Sequence, residues 1–281
     1  MSTAVPGLSL PSGATMPRIG QGTWYLGEDP ARRAGELAAL RLGLDLGLTM
    51  IDTAEMYGGG AAELLVAEAI AGRRDDVFLV DKVLPGNASR KGTIRACHRS
   101  LQRLGTDRID LYLLHWRGGC ALWETVDAFT ELVDAGDIGA WGVSNFDGSD
   151  LEELAAVAGG GAWATDQILY NPARRGPEYD LLARCRRRGV PVTAYSPFDQ
   201  GRLLSDPTIG EAAARHQATP AQVVLAWVLR QEGVAVLARA TDAAHVRDNA
   251  AAVDLRLTDA DLAAIDAAFP APAGPTPLET V

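Results

Sequence analysis

Residues 77–115, with the sequence VFLVDKVLPGNASRKGTIRACHRSLQRLGTDRIDLYLLH, contain the pattern that decides the fold. Two short apolar runs, at 77–80 and 109–114, flank an amphipathic helix predicted at 93–104. Both runs are too short to be helices, and Gly105 follows the predicted helix at the position where a left-handed cap suits glycine. Because the connection contains a whole helix, the two strands are predicted to be parallel.

The same strand–helix unit recurs along the chain, although its letters do not repeat. Further strands are predicted at residues 19–22, 49–51, 139–143, 164–168, 190–194 and 234–237. Further helices are predicted at residues 31–46, 63–71, 123–135, 150–157, 178–188, 220–231 and 242–251. Eight such units imply right-handed crossovers in either a closed barrel or an open doubly wound sheet. Eight units in a chain of 281 residues favour a (β/α)8 TIM barrel, with residues 1–281 in a single domain.

Both ends of the chain carry segments that lie outside the eight units. Residues 8–10 and 15–17 are predicted to form a β-hairpin that closes the barrel floor. Residues 257–269 are predicted to form an extra helix, and a proline-rich tail follows it from Pro270.

The composition argues against several classes of partner. The chain contains 26 Lys and Arg residues against 36 Asp and Glu residues, for a net charge of −10. An acidic surface repels phosphate backbones and anionic lipid, and no apolar stretch is long enough to span a bilayer. We therefore expect neither nucleic acid nor a membrane as a partner. The sequence favours a monomer without deciding the oligomeric state.

The cysteines and the first residues predict a cytoplasmic protein. Cys97, Cys120 and Cys185 are odd in number and widely spaced, which argues against a disulfide framework or a zinc site and fits a reducing compartment. Residues 1–11 lack a basic segment followed by a long apolar one, so no signal peptide is predicted.

Polar residues stand at the ends of the predicted strands. The set comprises Asp52, Lys82, His115, Ser144, Asn145, Gln167, Tyr195 and Arg239. Each residue taken alone has an ordinary structural explanation, such as a turn, a surface ion pair or a core histidine. In a (β/α)8 barrel, however, the carboxyl ends of all strands meet at one rim, where active sites of this fold lie. The set as a whole therefore predicts an active site.

The motifs around these residues resemble those of the aldo-keto reductases. The resemblance is carried by IDTAEMYG at 51–58, Lys82 after the apolar run at 78–80, DLYLLHW at 110–116, GVSNF at 142–146 and AYSP at 194–197. It extends from GQGTW at 20–24 to about residue 269, with the motifs in order and at the family's spacing. Within the family, the chain is most similar to bacterial members of the methylglyoxal-reductase and 2,5-diketogluconate-reductase type.

The resemblance implies an oxidoreductase that reduces small aldehydes and ketones to alcohols with NADPH, among them aryl aldehydes and dicarbonyls such as methylglyoxal. It implies a catalytic tetrad of Asp52, Tyr57, Lys82 and His115. Tyr57 would be the general acid that protonates the alkoxide formed by hydride transfer. Lys82 would lower the pKa of the Tyr57 phenol, and Asp52 would hold Lys82 in place. His115 would orient the carbonyl group.

The resemblance also implies which residues hold the cofactor and the substrate. The cofactor residues would be Gly22, Thr23, Asp52, Ser144, Asn145, Gln167, Tyr195, Ser196, Pro197, Gly201, Leu203, Arg239, Ala240, His245, Asp248 and Asn249. The substrate residues would be Trp24, Tyr57, His115, Trp116 and Phe146, although core packing explains Phe146 nearly as well. The tail from Pro270 would fold over the pocket.

One stretch departs from the family's pattern. After strand eight the family usually has Ile-Pro-Lys, whereas this chain has Leu237-Ala238-Arg239, and it has His245 where the family often has Arg. Because Arg is a good bidentate partner for phosphate, Arg239 is predicted to bind the 2′-phosphate and to favour NADPH over NADH. Either Thr241 or Asp242 is predicted to cap the helix that follows.

Two other functions remain open on the sequence alone. A metal-dependent hydrolase on the same barrel would use Asp52, Glu55 and His115, but the chain lacks the further histidines that such a site needs. A nicotinamide-binding partner subunit without catalytic activity would need the same cofactor residues, and the intact tetrad argues against it. No metal is expected, because the chain has no H-x-H or H-E-x-x-H motif.

Overall fold

The strands of the protein close into a barrel. The computed structural model describes residues 7–281; residues 1–6, part of the segment in which no signal peptide is predicted, lie outside the described residues. The strands are β1 (Gly7–Ser9), β2 (Thr15–Pro17), β3 (Ile19–Gly22), β4 (Met50–Asp52), β5 (Phe78–Val83), β6 (Ile109–Leu114), β7 (Ile138–Ser144), β8 (Asp166–Leu169), β9 (Val192–Tyr195) and β10 (Val234–Ala238). Strands β3 to β10 are parallel neighbours in the closed order β10-β3-β4-β5-β6-β7-β8-β9. The predicted TIM barrel is confirmed, and the open sheet is wrong.

Ten α-helices lie within residues 7–281. They are α1 (Arg33–Asp45), α2 (Ala61–Ile70), α3 (Arg90–Leu104), α4 (Leu122–Ala135), α5 (Gly148–Ala156), α6 (Leu181–Arg187), α7 (Pro207–His216), α8 (Pro220–Leu229), α9 (Ala243–Ala251) and α10 (Asp259–Ala268). The apolar pattern of the sequence does not predict α7. The sequence does contain a start signal for this helix, which is Asp206 followed by Pro207 at the first helical position. The Asp206 side chain accepts hydrogen bonds from the backbone of Thr208 and Ile209. None of the described helices is long and apolar enough to cross a membrane.

The ends of α3 follow local chemistry. The helix begins at Arg90, three residues before its predicted start, because the Ser89 hydroxyl accepts a hydrogen bond from the Gly92 N–H and caps the first turn. It ends at Leu104 and is capped by Gly105, whose φ of 62° is the left-handed conformation predicted there.

The N-terminal hairpin closes one end of the barrel, as the sequence predicts. Strands β1 and β2 pair antiparallel, with Leu8 opposite Met16. Leu10 and Met16 are buried against side chains that point into the barrel, among them Met50 and Leu111. Apolar side chains therefore fill the barrel at this end.

Alternation along the strands separates the barrel interior from the layer between strands and helices. In β5, Val80 belongs to the interior cluster and Leu79 to the larger core packed against the helices. Because successive side chains point to opposite faces, Lys82 faces inward and Asp81 faces the helices. Asp52 lies opposite Val80 in the neighbouring strand, so Asp52 and Lys82 both lie in the upper layers of the interior, near the carboxyl rim.

Candidate active site

A cavity of about 840 Å³ opens at the carboxyl ends of the barrel strands. Most of the sequence-predicted site residues form its wall: Gly22, Thr23, Trp24, Asp52, Tyr57, His115, Trp116, Ser144, Asn145, Gln167, Tyr195, Ser196, Pro197, Gly201, Arg239, His245 and Asn249. Lys82 has no exposed surface and contacts the wall residues Asp52 and Tyr57 from within the barrel. Closure of the barrel thus brings together positions that are far apart in the chain.

Lys82 is the centre of the predicted tetrad. Its ammonium group donates hydrogen bonds to Oδ1 of Asp52 at 2.5 Å, to the Tyr57 hydroxyl at 3.2 Å and to the Thr53 carbonyl at 2.8 Å. The side chain of Lys82 is 0% exposed and that of Asp52 is 4% exposed, so the ion pair is shielded from water. All three donors of the ammonium group are used, which fixes its position beside the Tyr57 hydroxyl.

Burial and charge have opposite effects on the pKa values of this group. Burial raises the pKa of the Tyr57 phenol; the charge of Lys82 lowers it, but the net direction is upward. Burial alone would lower the pKa of Lys82, but Asp52 and Tyr57 raise it above its ordinary value. The contribution of Lys82 to Tyr57 has the sign predicted from the sequence, whereas desolvation is larger and sets the net direction. At neutral pH Lys82 is therefore cationic, and Tyr57 keeps its proton.

His115 lies beside Tyr57 in the cavity wall. The two rings meet edge to face, with their centroids 5.7 Å apart. Burial, and after it the charge of Lys82, lowers the pKa of His115 to about 2, so the imidazole is neutral at physiological pH. A neutral imidazole can form a hydrogen bond with a carbonyl oxygen without adding a second positive charge near Lys82.

The polar side chains across the cavity bind one another. The Ser144 hydroxyl donates to the Gln167 carbonyl at 2.7 Å, and the Gln167 side-chain amide donates to Oδ2 of Asp52 at 2.7 Å. The side-chain oxygen of Asn145 accepts a hydrogen bond from the Tyr195 hydroxyl at 2.7 Å. The Asn145 amide also donates to the Ser144 hydroxyl at 3.1 Å, so the four side chains are connected to the tetrad through Asp52 and held in defined orientations.

Four cavity residues have backbone angles that residues other than glycine seldom adopt. The φ angle is 67° at Tyr25, 58° at Asn145, 49° at Ser196 and 55° at Gln200. Such conformations persist only where surrounding contacts enforce them, and they concentrate at functional sites. Their position at this rim agrees with a functional role for the cavity.

Arg239 and the helix after it form one end of the cavity. The guanidinium of Arg239 lies 5.7 Å from the centroid of the Tyr25 ring and donates a hydrogen bond to the Trp24 carbonyl at 3.4 Å. Among residues 7–281, no carboxylate forms an ion pair with Arg239. Asp242 caps α9, as predicted, and its carboxylate also lies 2.6 Å from Nδ1 of His245. Arg239 is therefore available to an anion, whereas His245 already has a partner.

Besides Lys82, four predicted site residues do not line the cavity. Phe146 and Leu203 are buried in the core between strands and helices. Ala240 packs against that core, and Asp248 is half-buried on α9 away from the cavity wall. For Phe146, the structure supports core packing, because the ring has no exposed surface. Leu204 lines the cavity in place of its neighbour Leu203.

The cavity wall also contains residues that were not among the predicted site residues, namely Tyr25, Met56, Arg117, Phe198, Gln200, Leu204, Ala221 and Leu237. Tyr25 and Met56 were within reach of sequence reasoning, because each stands beside a predicted substrate residue, Trp24 or Tyr57. Both are well exposed, at 51% and 39%. Ala221 carries no chemical signal, and packing of α8 at the rim is what brings it there.

The C-terminal tail reaches the cavity, as the resemblance implies. Thr280 and Val281 contribute to the wall. Glu279 forms an ion pair with Arg174 at 2.5 Å, and Arg174 also pairs with Asp199 in the loop after β9 at 3.3 Å. The tail is thereby tied to a loop that itself lines the cavity.

The carboxylate of Glu55 does not line the cavity. It accepts hydrogen bonds from the Leu84 N–H at 2.8 Å and from the Asn87 side-chain amide at 2.9 Å. In the part of the chain that the structure describes, no group of three or more His, Cys, Asp or Glu residues is arranged to hold a metal ion. Asp52, Glu55 and His115, the set considered for a metal-dependent hydrolase, are not brought together.

Comparison with known sequences identifies close relatives. Residues 18–269 match the profile of the Aldo/keto reductase family. Methylglyoxal reductase YeaE of Escherichia coli strain K12 is 50% identical over 272 residues, which cover 95% of this chain and 96% of that protein. Methylglyoxal reductase DkgB of Escherichia coli O157:H7 is 32% identical over 255 residues, which cover 90% of this chain and 92% of that protein.

Solved structures agree with the sequence comparison. An aldo/keto reductase from Klebsiella pneumoniae in complex with NADP and acetate matches with a TM-score of 0.96 and 46% identity, covering 99% of this chain and 100% of that chain. An aldo-keto reductase from the same organism in complex with NADPH matches with a TM-score of 0.95 and 47% identity, with the same coverage. The chain therefore belongs to the aldo/keto reductase family of oxidoreductases.

Proposed function

We propose that the protein reduces small aldehydes and ketones, including dicarbonyls such as methylglyoxal, to alcohols with NADPH and with Tyr57 as the general acid. The observation that carries the proposal is the 3.2 Å hydrogen bond from the Lys82 ammonium to the Tyr57 hydroxyl, at the wall of a cavity of ordinary ligand-pocket size. The methylglyoxal reductases of Escherichia coli among its relatives support this substrate class.

The cavity residues fit a nicotinamide cofactor. Gly22 and Gly201 leave open space where a side chain would stand, and Tyr195 offers an aromatic ring in the wall on which the nicotinamide would stack. Arg239 would bind the 2′-phosphate. The Klebsiella pneumoniae relatives in complex with NADP and NADPH support the same cofactor here. When bound, NADPH supplies the hydride that the carbonyl carbon accepts.

The chain's own residues deliver the proton. The Tyr57 hydroxyl holds the proton that the substrate oxygen takes up as it becomes an alcohol. Lys82, kept cationic by Asp52, stabilises the tyrosinate that remains, through its charge and its hydrogen bond. The neutral His115 orients the substrate oxygen by a hydrogen bond. A positioned general acid contributes about 10² to 10⁴ in rate.

The cavity wall favours small uncharged substrates. Trp24, Tyr25 and Trp116 give it an aromatic surface. Arg117 also lines the cavity, but its guanidinium makes two hydrogen bonds, at 2.9 and 3.1 Å, to the carboxylate of Glu153. Because Glu153 neutralises this charge, Arg117 offers little to a substrate carboxylate or phosphate. We therefore expect neutral aldehydes and dicarbonyls to be reduced in preference to phosphorylated sugars.

Loss of NADPH absorbance with methylglyoxal and with a nitrobenzaldehyde, each measured with and without EDTA, tests the proposal. We expect oxidation of NADPH with both substrates and no effect of EDTA. Activity abolished by EDTA would favour a metal-dependent enzyme. Cofactor binding without turnover across an aldehyde and ketone panel would favour a non-catalytic partner subunit.

A further inference from the structure

Tyr57 precedes a run of three glycines. The next three residues are Gly58, Gly59 and Gly60, with φ angles of 56°, 61° and 101°. Left-handed φ angles of this kind suit glycine, and α2 begins directly after them at Ala61. The residues before Tyr57 provide the other attachment of its loop.

Glu55 supplies a restraint two residues before Tyr57. Its side chain is only 7% exposed. One oxygen, Oε1, accepts hydrogen bonds from the Leu84 N–H at 2.8 Å and from the Asn87 side-chain amide at 2.9 Å. The N–H of Glu55 donates to the Lys82 carbonyl at 3.3 Å. Glu55 thus connects the loop that contains Tyr57 with the backbone at Lys82 and Leu84.

The loop that receives Glu55 is itself well held. Residues Pro85–Asn87 form a tight turn, in which the N–H of Asn87 donates to the Leu84 carbonyl at 2.8 Å. The Thr125 hydroxyl, on α4, donates to the Ala88 carbonyl at 2.7 Å. Glu55 therefore anchors the Tyr57 loop to a turn that is itself held by hydrogen bonds.

The anchor needs a hydrogen-bond acceptor rather than a negative charge. An amide oxygen can accept the same two hydrogen bonds as a carboxylate oxygen in the same place, although the bonds to the charged oxygen are stronger. The ionic contact of Glu55 is weak, because Arg99 lies 3.5 Å from Oε2 and is 48% exposed. A side chain one methylene shorter would not reach Leu84.

We infer that Glu55 is a positioning residue for the reaction proposed above, and that its side-chain oxygen sets the distance between the Tyr57 hydroxyl and the Lys82 ammonium group. The inference rests on the proposed function for its kinetic consequence. Its structural content, the bond between Glu55 and Leu84, can be tested without turnover.

Glu55→Gln and Glu55→Asp separate position from charge. Glu55→Gln keeps the acceptor and loses the charge, so it should retain most of the wild-type kcat with methylglyoxal. Glu55→Asp keeps the charge but is one methylene too short to accept the hydrogen bond from Leu84. Its kcat should therefore fall by about 100-fold, the order expected when a reacting group shifts by about 1 Å. The Kd for NADPH should stay unchanged in both, because Glu55 does not line the cavity. Arg99→Ala, which removes only the exposed ion pair, is the matched control and should behave as wild type.

The opposite order, with Glu55→Asp active and Glu55→Gln inactive, would show that charge matters and would overturn the inference. Thermal melts establish that each variant is folded. If Glu55→Asp does not fold, Asn87→Ala removes one of the two bonds to Oε1 and should lower kcat in the same direction by a smaller factor; an unchanged kcat there would also overturn the inference.

Amide hydrogen exchange separates failure of this inference from failure of the proposed function. Exchange at Leu84 and across residues 54–60 should become faster in Glu55→Asp and stay at the wild-type rate in Glu55→Gln and Arg99→Ala. Faster exchange in a protein that reduces no carbonyl would support the anchor and refute the proposed activity. Unchanged exchange in Glu55→Asp would refute the anchor itself.

Discussion

The ammonium nitrogen of Lys82 and the Oδ1 atom of Asp52 lie 2.5 Å apart in the barrel interior, with the two side chains 0% and 4% exposed. Charges buried in this way attract each other strongly, but both have lost the hydration that would stabilise them singly. Lys82 stays charged because Asp52 is present, and the proton donor Tyr57 is bound to that same ammonium group. Stability and the proposed catalysis therefore depend on one ion pair.

Removal of one member of this pair should destabilise the fold. Asp52→Ala leaves the buried Lys82 ammonium without its counter-ion, which should cost about 3–5 kcal/mol in the free energy of unfolding. Urea denaturation followed by tryptophan fluorescence measures this loss. The double variant Asp52→Ala/Lys82→Met, which buries no charge at this position, should recover most of the stability while remaining inactive. If Asp52→Ala alone is as stable as wild type, the buried ion pair does not stabilise the fold.

The hydroxyl of Tyr57 should be needed for turnover but not for cofactor binding. Tyr57→Phe removes the proton donor and keeps the ring, so kcat should fall by about 10² to 10⁴. The Kd for NADPH, measured by fluorescence titration, should stay close to the wild-type value. Tyr179→Phe, at an exposed tyrosine outside the cavity, is the control. If Tyr57→Phe keeps most of its turnover, another group is the general acid.

Asp166 should make the stability of the fold depend on pH. The residue is fully buried, and burial raises the pKa of its carboxyl well above the ordinary value, opposed only in part by a hydrogen bond from the Phe146 N–H. A carboxyl whose pKa is higher in the folded state favours folding in its protonated form. Its contribution to the free energy of unfolding is complete below the unfolded-state pKa of about 3.9. That contribution is lost as pH rises towards the folded-state pKa. From this group alone, the free energy of unfolding should fall by up to about 1.4 kcal/mol per pH unit over that interval.

Asp166→Asn should remove this dependence, because the amide is uncharged and keeps an oxygen that can accept the Phe146 N–H. Thermal melts should show that the stability of the variant relative to wild type increases as pH rises above the unfolded-state pKa of about 3.9. Asp107→Asn, at a side chain that is 88% exposed, is the control and should follow wild type throughout. Parallel curves for Asp166→Asn and wild type would mean that Asp166 is ionised in the folded protein.

Arg239 should determine the preference for NADPH over NADH. A hydrogen bond between charged groups contributes about 1.5–3 kcal/mol, so Arg239→Ala should raise the KM for NADPH by about 10- to 100-fold. The KM for NADH, which lacks the 2′-phosphate, should change little. Arg247→Ala, on an exposed part of α9 outside the cavity, is the control. Equal losses with both cofactors, or a wild-type preference for NADH, would overturn the assignment.

Local features of the sequence determined the barrel and the convergence of its polar strand ends. Apolar periodicity depends on the geometry of each strand or helix by itself, and a glycine such as Gly105 ends its helix through its own backbone freedom. Once eight parallel strands close, Asp52, Lys82 and His115 must approach one rim, because they stand at the carboxyl ends of three neighbouring strands. The predicted meeting of these residues therefore required no knowledge of side-chain packing.

Only the tertiary structure decided which way individual side chains pack and what charge they carry. Phe146 turns into the core while Met56, which the sequence did not single out, lines the cavity. Glu55, considered from the sequence as a metal ligand, binds Leu84 instead. The pKa of Tyr57 is raised although Lys82 is in contact with it. In each case the outcome depends on burial and on contacts between elements distant in the chain, and neither residue type nor spacing along the sequence specifies these.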